Sequence, residues 1–168
     1  MSKKIGFIGA GNMGYAMISS IAGSHNYLNE NIFVYDVDSQ KLLRLKEETG
    51  VSILNSEMDI IQNADIIVLA VKPNMVKSVL EQCKNAIDDK KILVSIAVGI
   101  PLSFYRQILG KDKKIIRTMP NTPAFVGEGM TLMSYENNIS EEDVSEVRKV
   151  FECFGKVEVL EEKLMSEV

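Results

Sequence analysis

Three glycines near the start of the chain have the spacing to hold a phosphate. Gly9-Ala10-Gly11-Asn12-Met13-Gly14 follows a short apolar run, Lys4-Ile5-Gly6-Phe7-Ile8, and precedes a helical pattern. In a G-x-G-x-x-G set of this kind the first glycine makes a tight turn and the second lets backbone approach a pyrophosphate. The third lets the helix pack close on the strand. The helix that begins there offers unpaired N–H groups and partial positive charge to an anion. Without the strand before it and the helix after it, the pattern is only a glycine-rich turn. Both flanks are present here, so the stretch reads as a dinucleotide site.

Asp36 lies about 20 residues past the turn, where an acid accepts hydrogen bonds from the adenosine ribose. A carboxylate there also repels a 2′-phosphate, so Asp36, with Val37 beside it, leans towards NAD over NADP. The competing role for Asp36 or Asp38 is to open the next helix. Ala70-Val71-Lys72-Pro73 and Ala97-Val98-Gly99 each close an apolar run. Lys72 fits a cofactor contact and a solvated surface equally well, whereas Pro73 suits the first residue of a helix. Asn121 and Thr122 lie between Pro120 and Pro123, on a stiff loop that suits a nicotinamide, a substrate or a plain turn. No Ser-His-Asp set is evident, which counts against hydrolase chemistry. The single histidine, His25, sits in the polar stretch Gly23-Ser24-His25-Asn26 and reads as a loop residue. No side chain is assigned a catalytic or metal-binding role. If hydride moves, a nicotinamide carries the chemistry and the protein supplies position.

The elements that must hold these residues alternate. Ile32-Phe33-Val34-Tyr35 reads as a second strand, and Asp38-Ser39 caps a helix closed by Gly50. A brief strand over 51–54 and a short helix started by Ser56-Glu57-Met58-Asp59 follow. The runs 65–71 and 92–98 are apolar throughout, as parallel strands covered on both faces should be. Helices from Pro73 to about Ala86 and from Pro101 to Leu109 separate them from a sixth strand, 115–119. This is an α/β pattern: a doubly wound, mostly parallel, Rossmann-like sheet with helices on both faces. Two prolines three apart exclude helix or central strand over Pro120–Pro123. Strands over 129–135 and 156–160 flank a helix capped at Ser140, and 161–168 has helical composition.

A chain of 168 residues, 46% apolar and 25% charged, is an ordinary globular composition. A net charge of −4 gives no reason to expect nucleic acid, and no apolar run is long enough for a membrane helix. Cys83 and Cys153 are far apart, and Cys83 falls on the buried stripe Val76, Val79, Leu80, Cys83, Ile87. The expectation is a reduced, cytoplasmic protein.

The glycine turn, Leu69-Ala70-Val71-Lys72-Pro73 and Ser95-Ile96-Ala97-Val98-Gly99-Ile100 together resemble the pyrroline-5-carboxylate reductases. Ile116-Arg117-Thr118-Met119-Pro120-Asn121-Thr122-Pro123 is the most telling match, and Phe154-Gly155-Lys156 resembles the family's closing strand. The resemblance implies hydride transfer from NAD(P)H to the C=N carbon of 1-pyrroline-5-carboxylate, giving L-proline. It implies that Gly9, Ala10, Gly11, Asn12, Met13 and Gly14 hold the pyrophosphate, and Asp36 and Val37 the adenosine ribose. Ala70, Val71, Lys72 and Pro73 would line the cofactor, with Ala97 and Asn121 nearer the nicotinamide. The family favours NADP, whereas Asp36 leans to NAD. Family members continue into a helical domain that makes a homo-oligomer and grips substrate. Residues 1–160 are therefore expected to be the cofactor domain, 161–168 the start of a missing one, and the chain alone poorly active. A non-catalytic NAD(P)-binding module, or a reductase for another imine or a β-hydroxyacid, are the competing readings.

Overall fold

A computed structural model describes residues 3–121 and 129–165. Strand and helix alternate through β1 (Ile5–Ile8), α1 (Asn12–Ser24), β2 (Ile32–Tyr35), α2 (Ser39–Thr49) and a two-residue β3 (Ser52–Ile53). They continue through α3 (Glu57–Asn63), β4 (Ile66–Leu69), α4 (Pro73–Cys83), β5 (Ile92–Ser95), α5 (Leu102–Leu109) and β6 (Lys114–Pro120). β7 (Gly129–Tyr135), α6 (Glu141–Glu152), β8 (Gly155–Val159) and a short α7 (Glu162–Met165) complete the described chain.

The strands form one sheet in the order β3-β2-β1-β4-β5-β6-β7-β8. Among the described residues, only β6 and β7 pair antiparallel. The doubly wound α/β fold read from the sequence is the fold observed. Successive strands step one way from β1 to β3 and the other way from β4 onward. The reversal leaves a crevice beyond the carboxyl ends of β1 and β4, where ligands bind in such sheets.

The unbroken apolar runs resolve into two alternating sets, because side chains along a strand point to opposite faces. Ile5, Phe7, Val34, Ile66, Val68, Ile92 and Val94 meet Met17, Ile18 and Ile21 of α1, with Val147 and Phe151 of α6 in the same cluster. Ile67, Leu69, Leu93 and Ile115 face the other way, onto Ile60 of α3, Val76 and Leu80 of α4 and Tyr105 of α5. Each fully buried aliphatic side chain contributes about 1.5–3 kcal/mol. The central strands therefore stabilise both layers at once, and the polar residues buried in them, Ser95, Arg117 and Thr118, lie towards the carboxyl ends of β5 and β6.

Caps fall where the side chains predict. Asp38 accepts from the Gln40 and Lys41 amides, Ser56 from Asp59 and Ser140 from Asp143. Gly50 closes α2 in the left-handed conformation, φ 78°. α4 ends at Cys83, and a 3₁₀ turn, Lys84–Ala86, completes the stretch read as one helix. Pro101 is the cap of α5 rather than its first residue.

β6 runs one residue further at each end than the expected 115–119. Pro120 is the last residue of β6, paired with Thr131 of β7. The β5 side of β6 stops pairing at Arg117, opposite Ser95. Pro120 therefore lies beyond that ladder, where a missing N–H costs little. Thr122 and Pro123 lie outside the described residues.

Candidate functional site

The strands at the crevice are shorter than their apolar runs. β4 ends at Leu69 and β5 at Ser95, so Ala70-Val71-Lys72 and Ile96-Ala97-Val98-Gly99 leave the ladder and form a rim. The glycine turn closes the same rim from β1. Gly9 donates its N–H to the Tyr35 carbonyl at 2.8 Å, and Ala70 donates to the Ile8 carbonyl at 2.8 Å. β1, β2 and β4 are thus bonded to one another where the turn begins.

The three glycines separate by what a side chain would meet. At Gly9, φ is +103° and an added Cβ would come within 2.6 Å of the Ala70 carbonyl oxygen. At Gly14 the Cβ would lie 3.0 Å from the Gly9 carbonyl oxygen and 3.4 Å from the Ala70 Cβ. These two glycines are required by the protein's own packing. Gly11 is different: its φ is −67°, open to any residue, and a Cβ there would meet nothing within 4 Å among the described residues. The fold does not demand a glycine at 11. A ligand that brings its pyrophosphate against that backbone does.

Gly11 is also the N-cap of α1, and no side chain caps this helix among the described residues. Its first-turn N–H groups are available to an anion, as a phosphate site requires. Asn12 is exposed, Met13 is half-buried against the core, and Ala10 is buried. α4 likewise starts without a side-chain cap, with Lys72 at the N-cap and Pro73 in the first turn, both exposed. Two helix N-termini thus flank the crevice.

Asp36 has a role that spacing alone did not reveal. One carboxylate oxygen accepts the Ala10 N–H at 2.7 Å, and the other accepts the Asp38 N–H at 2.8 Å. It fastens the glycine turn to the end of β2. An ionised carboxylate has about four acceptor positions, so room remains for ribose hydroxyls. Asp38, not Asp36, opens α2. Val37 is 86% exposed beside them.

Ala97 is buried, and its neighbours Val98 and Gly99 face outward. Asn121 is exposed, and its Oδ1 accepts the Met130 N–H at 2.9 Å, so it braces the start of β7. Beneath the rim lies a polar group to which the sequence reading gave no role, although three of its members fall in the quoted motifs. Ser95, Tyr105 and Thr118 are fully buried, and Arg117 is nearly so. Arg117 pairs with Glu162 at 3.1 Å, while its Nε has no partner among the described residues. These residues sit inside two strands and a helix whose patterns read as core, so nothing in their spacing marked them.

The fold and the rim define the class: a doubly wound α/β domain of the dinucleotide-binding type. The model of the family described as NADP oxidoreductase coenzyme F420-dependent matches residues 4–99, more than half of the chain, and the chain belongs to that family.

The pyrroline-5-carboxylate reductase of Escherichia coli is 40% identical over 168 residues, all of this chain and 62% of that protein. A Plasmodium falciparum pyrroline carboxylate reductase with NADP bound superposes with a TM-score of 0.87 at 33% identity, covering 97% of this chain and 59% of its own. A Coxiella burnetii pyrroline-5-carboxylate reductase gives a TM-score of 0.90 at 30% identity, covering 95% and 59%. The chain therefore spans about three fifths of the length of these relatives. The resemblance read from the motifs holds from one end of the chain to the other.

Proposed function

We propose that this chain is the dinucleotide-binding part of a pyrroline-5-carboxylate reductase. It takes NADH or NADPH, and the hydride goes to the C=N carbon of 1-pyrroline-5-carboxylate to give L-proline. The observation that carries the dinucleotide reading is Gly11, a glycine that the fold leaves free and a pyrophosphate would need. The choice of acceptor rests on the relatives.

Gly9 through Gly14 and the N-terminus of α1 hold the pyrophosphate. Asp36 accepts the adenosine ribose hydroxyls while keeping the turn in place. Lys72, Pro73 and the Ala97–Gly99 segment line the other half of the dinucleotide. When bound, the nicotinamide supplies the hydride. A protonated imine is already a good electrophile, so the reading asks the chain's residues to bind and orient rather than to move protons. The carboxylate of Asp36 opposes a 2′-phosphate, which favours NADH.

The test is to incubate the 168-residue protein with reduced dinucleotide and 1-pyrroline-5-carboxylate, following cofactor oxidation and proline. Proline should form mole for mole with oxidised cofactor, more slowly than with the Escherichia coli relative, whose length this chain only partly spans. Dinucleotide binding with no proline at any protein concentration would contradict the reductase reading. That outcome would favour a non-catalytic binding module.

A further inference from the structure

Ser95 ends β5, and its hydroxyl is wholly buried. Its Oγ accepts the Ala97 N–H at 3.1 Å and lies 2.5 Å from the Tyr105 hydroxyl of α5. From the neighbouring strand, the Thr118 hydroxyl donates to the Ser95 carbonyl at 3.0 Å. Three hydroxyls from β5, α5 and β6 thus converge where the chain leaves the sheet. An apolar residue at 95 would leave the Ala97 N–H and the buried Tyr105 hydroxyl without this partner. What a serine adds is a fixed path for the next residues.

That path is the segment 96–101. Ser95 holds one end, through the Ala97 amide. Glu162 of α7 holds the other, accepting the Leu102 N–H at 2.6 Å and the Arg117 guanidinium at 3.1 Å. Ile96 donates to the Leu69 carbonyl of β4 at 3.2 Å, tying the segment to the strand beside the crevice. Between the pinned ends stand Val98, 69% exposed, and Gly99, with φ +79° and open space around it.

Position along the rim says what the task is. Asp36 at the end of β2 marks the adenosine side, and the turn after β1 marks the pyrophosphate. The remaining half of a dinucleotide must run in the opposite direction, past β4 to the end of β5. We infer that Ser95, held by Tyr105 and Thr118, is a positioning residue that sets the 96–101 segment against the nicotinamide half of the cofactor. The inference rests on the dinucleotide reading above. Burial pushes the Tyr105 phenol up, opposed in part by its bond to Ser95, so it stays a neutral hydroxyl near neutral pH. Hydrogen bonds between neutral buried groups hold geometry without depending on buffer pH.

The test compares ligands that differ only in the nicotinamide. NADH and ADP-ribose are titrated into the wild type, Ser95→Ala and Tyr105→Phe, with NADPH and 2′-phospho-ADP-ribose in parallel. Each variant should weaken the reduced dinucleotide about tenfold and leave the ribose analogue within about twofold. Amide exchange in the cofactor-free Ser95→Ala protein should quicken over 96–101. Tyr105→Phe removes one oxygen and keeps the ring, so it remains decisive if Ser95→Ala does not fold. Equal weakening of both ligands would reduce the network to general support and overturn the inference, as would unchanged affinity for both. A wild type that binds none of the four ligands would sink the dinucleotide reading itself. A wild type that binds them with no split in the variants would sink this inference alone.

Discussion

On the proposed reading, Asp36 couples the shape of the glycine turn to the choice of cofactor. Its two oxygens hold backbone N–H groups of Ala10 and Asp38, so Asp36→Ser removes a charge and two structural contacts together. The variant should lose about 1–3 kcal/mol of stability, read by denaturant unfolding. Its absolute affinity for either cofactor should also fall. The informative number is the ratio: NADH over NADPH should shift towards NADPH by about tenfold, the equivalent of 1.4 kcal/mol. An unchanged ratio would remove Asp36 from cofactor choice. Gly9→Ala makes a contrasting prediction. Its φ and the Ala70 carbonyl both oppose a side chain, so about 1–3 kcal/mol should be lost whether or not ligand is present. At this scale spacing in the sequence marked a turn and an acid, and the structure brings the two into contact. Spacing could not show that Asp36 grips Ala10, since that bond depends on how β1 and β2 lie side by side. Ser95 and Tyr105 stayed hidden for a related reason: a hydroxyl inside an apolar run carries no periodic signal.

Among the elements, the close approach of α3 to β1 was the least visible in advance. Gly6 reads as an ordinary member of a strand, yet a Cβ there would lie 2.6 Å from Ile60 Cγ2 and 2.7 Å from Ala64 Cβ. Gly6→Ala should therefore push α3 off the sheet and cost about 1–3 kcal/mol, measurable as a lowered unfolding midpoint. A neutral outcome would show that α3 can shift freely. The helical stripes, by contrast, were legible because a period near 3.6 survives in every packing arrangement. Cys83 is the example: it was placed on the buried stripe of α4, and it is fully buried there. Burial, then the nearby Glu57, pushes its thiol up, and the thiolate is the reactive form. A thiol reagent at mild pH should label Cys153 quickly and Cys83 only as the protein unfolds. Rapid labelling of both would contradict the packing of α4. Strand ends were the least legible boundaries, since the apolar runs after β4 and β5 continue into the rim. The overshoot marks where backbone stops serving the sheet.

For the whole molecule, the order of strands puts the glycine turn, Asp36 and the ends of β4 and β5 along one edge. That arrangement was legible because alternating strands and helices admit few topologies. Among the described residues, no helix is long and apolar enough to cross a membrane. Glu162 and Met165 pack into the same body as the sheet, Met165 being buried and Glu162 bonded to α5 and β6. The central claim is that this body takes a dinucleotide on the Gly9–Gly14 turn. Calorimetric titration of NADH and NADPH into the wild type and Gly11→Val tests it most directly, with a thermal melt of each protein alongside. The wild type should bind one reduced dinucleotide per chain. The variant should melt within a few degrees of it, because a side chain at 11 meets open space, and should bind at least about a hundredfold more weakly. Equal binding by both proteins, or none by the wild type, would contradict the account.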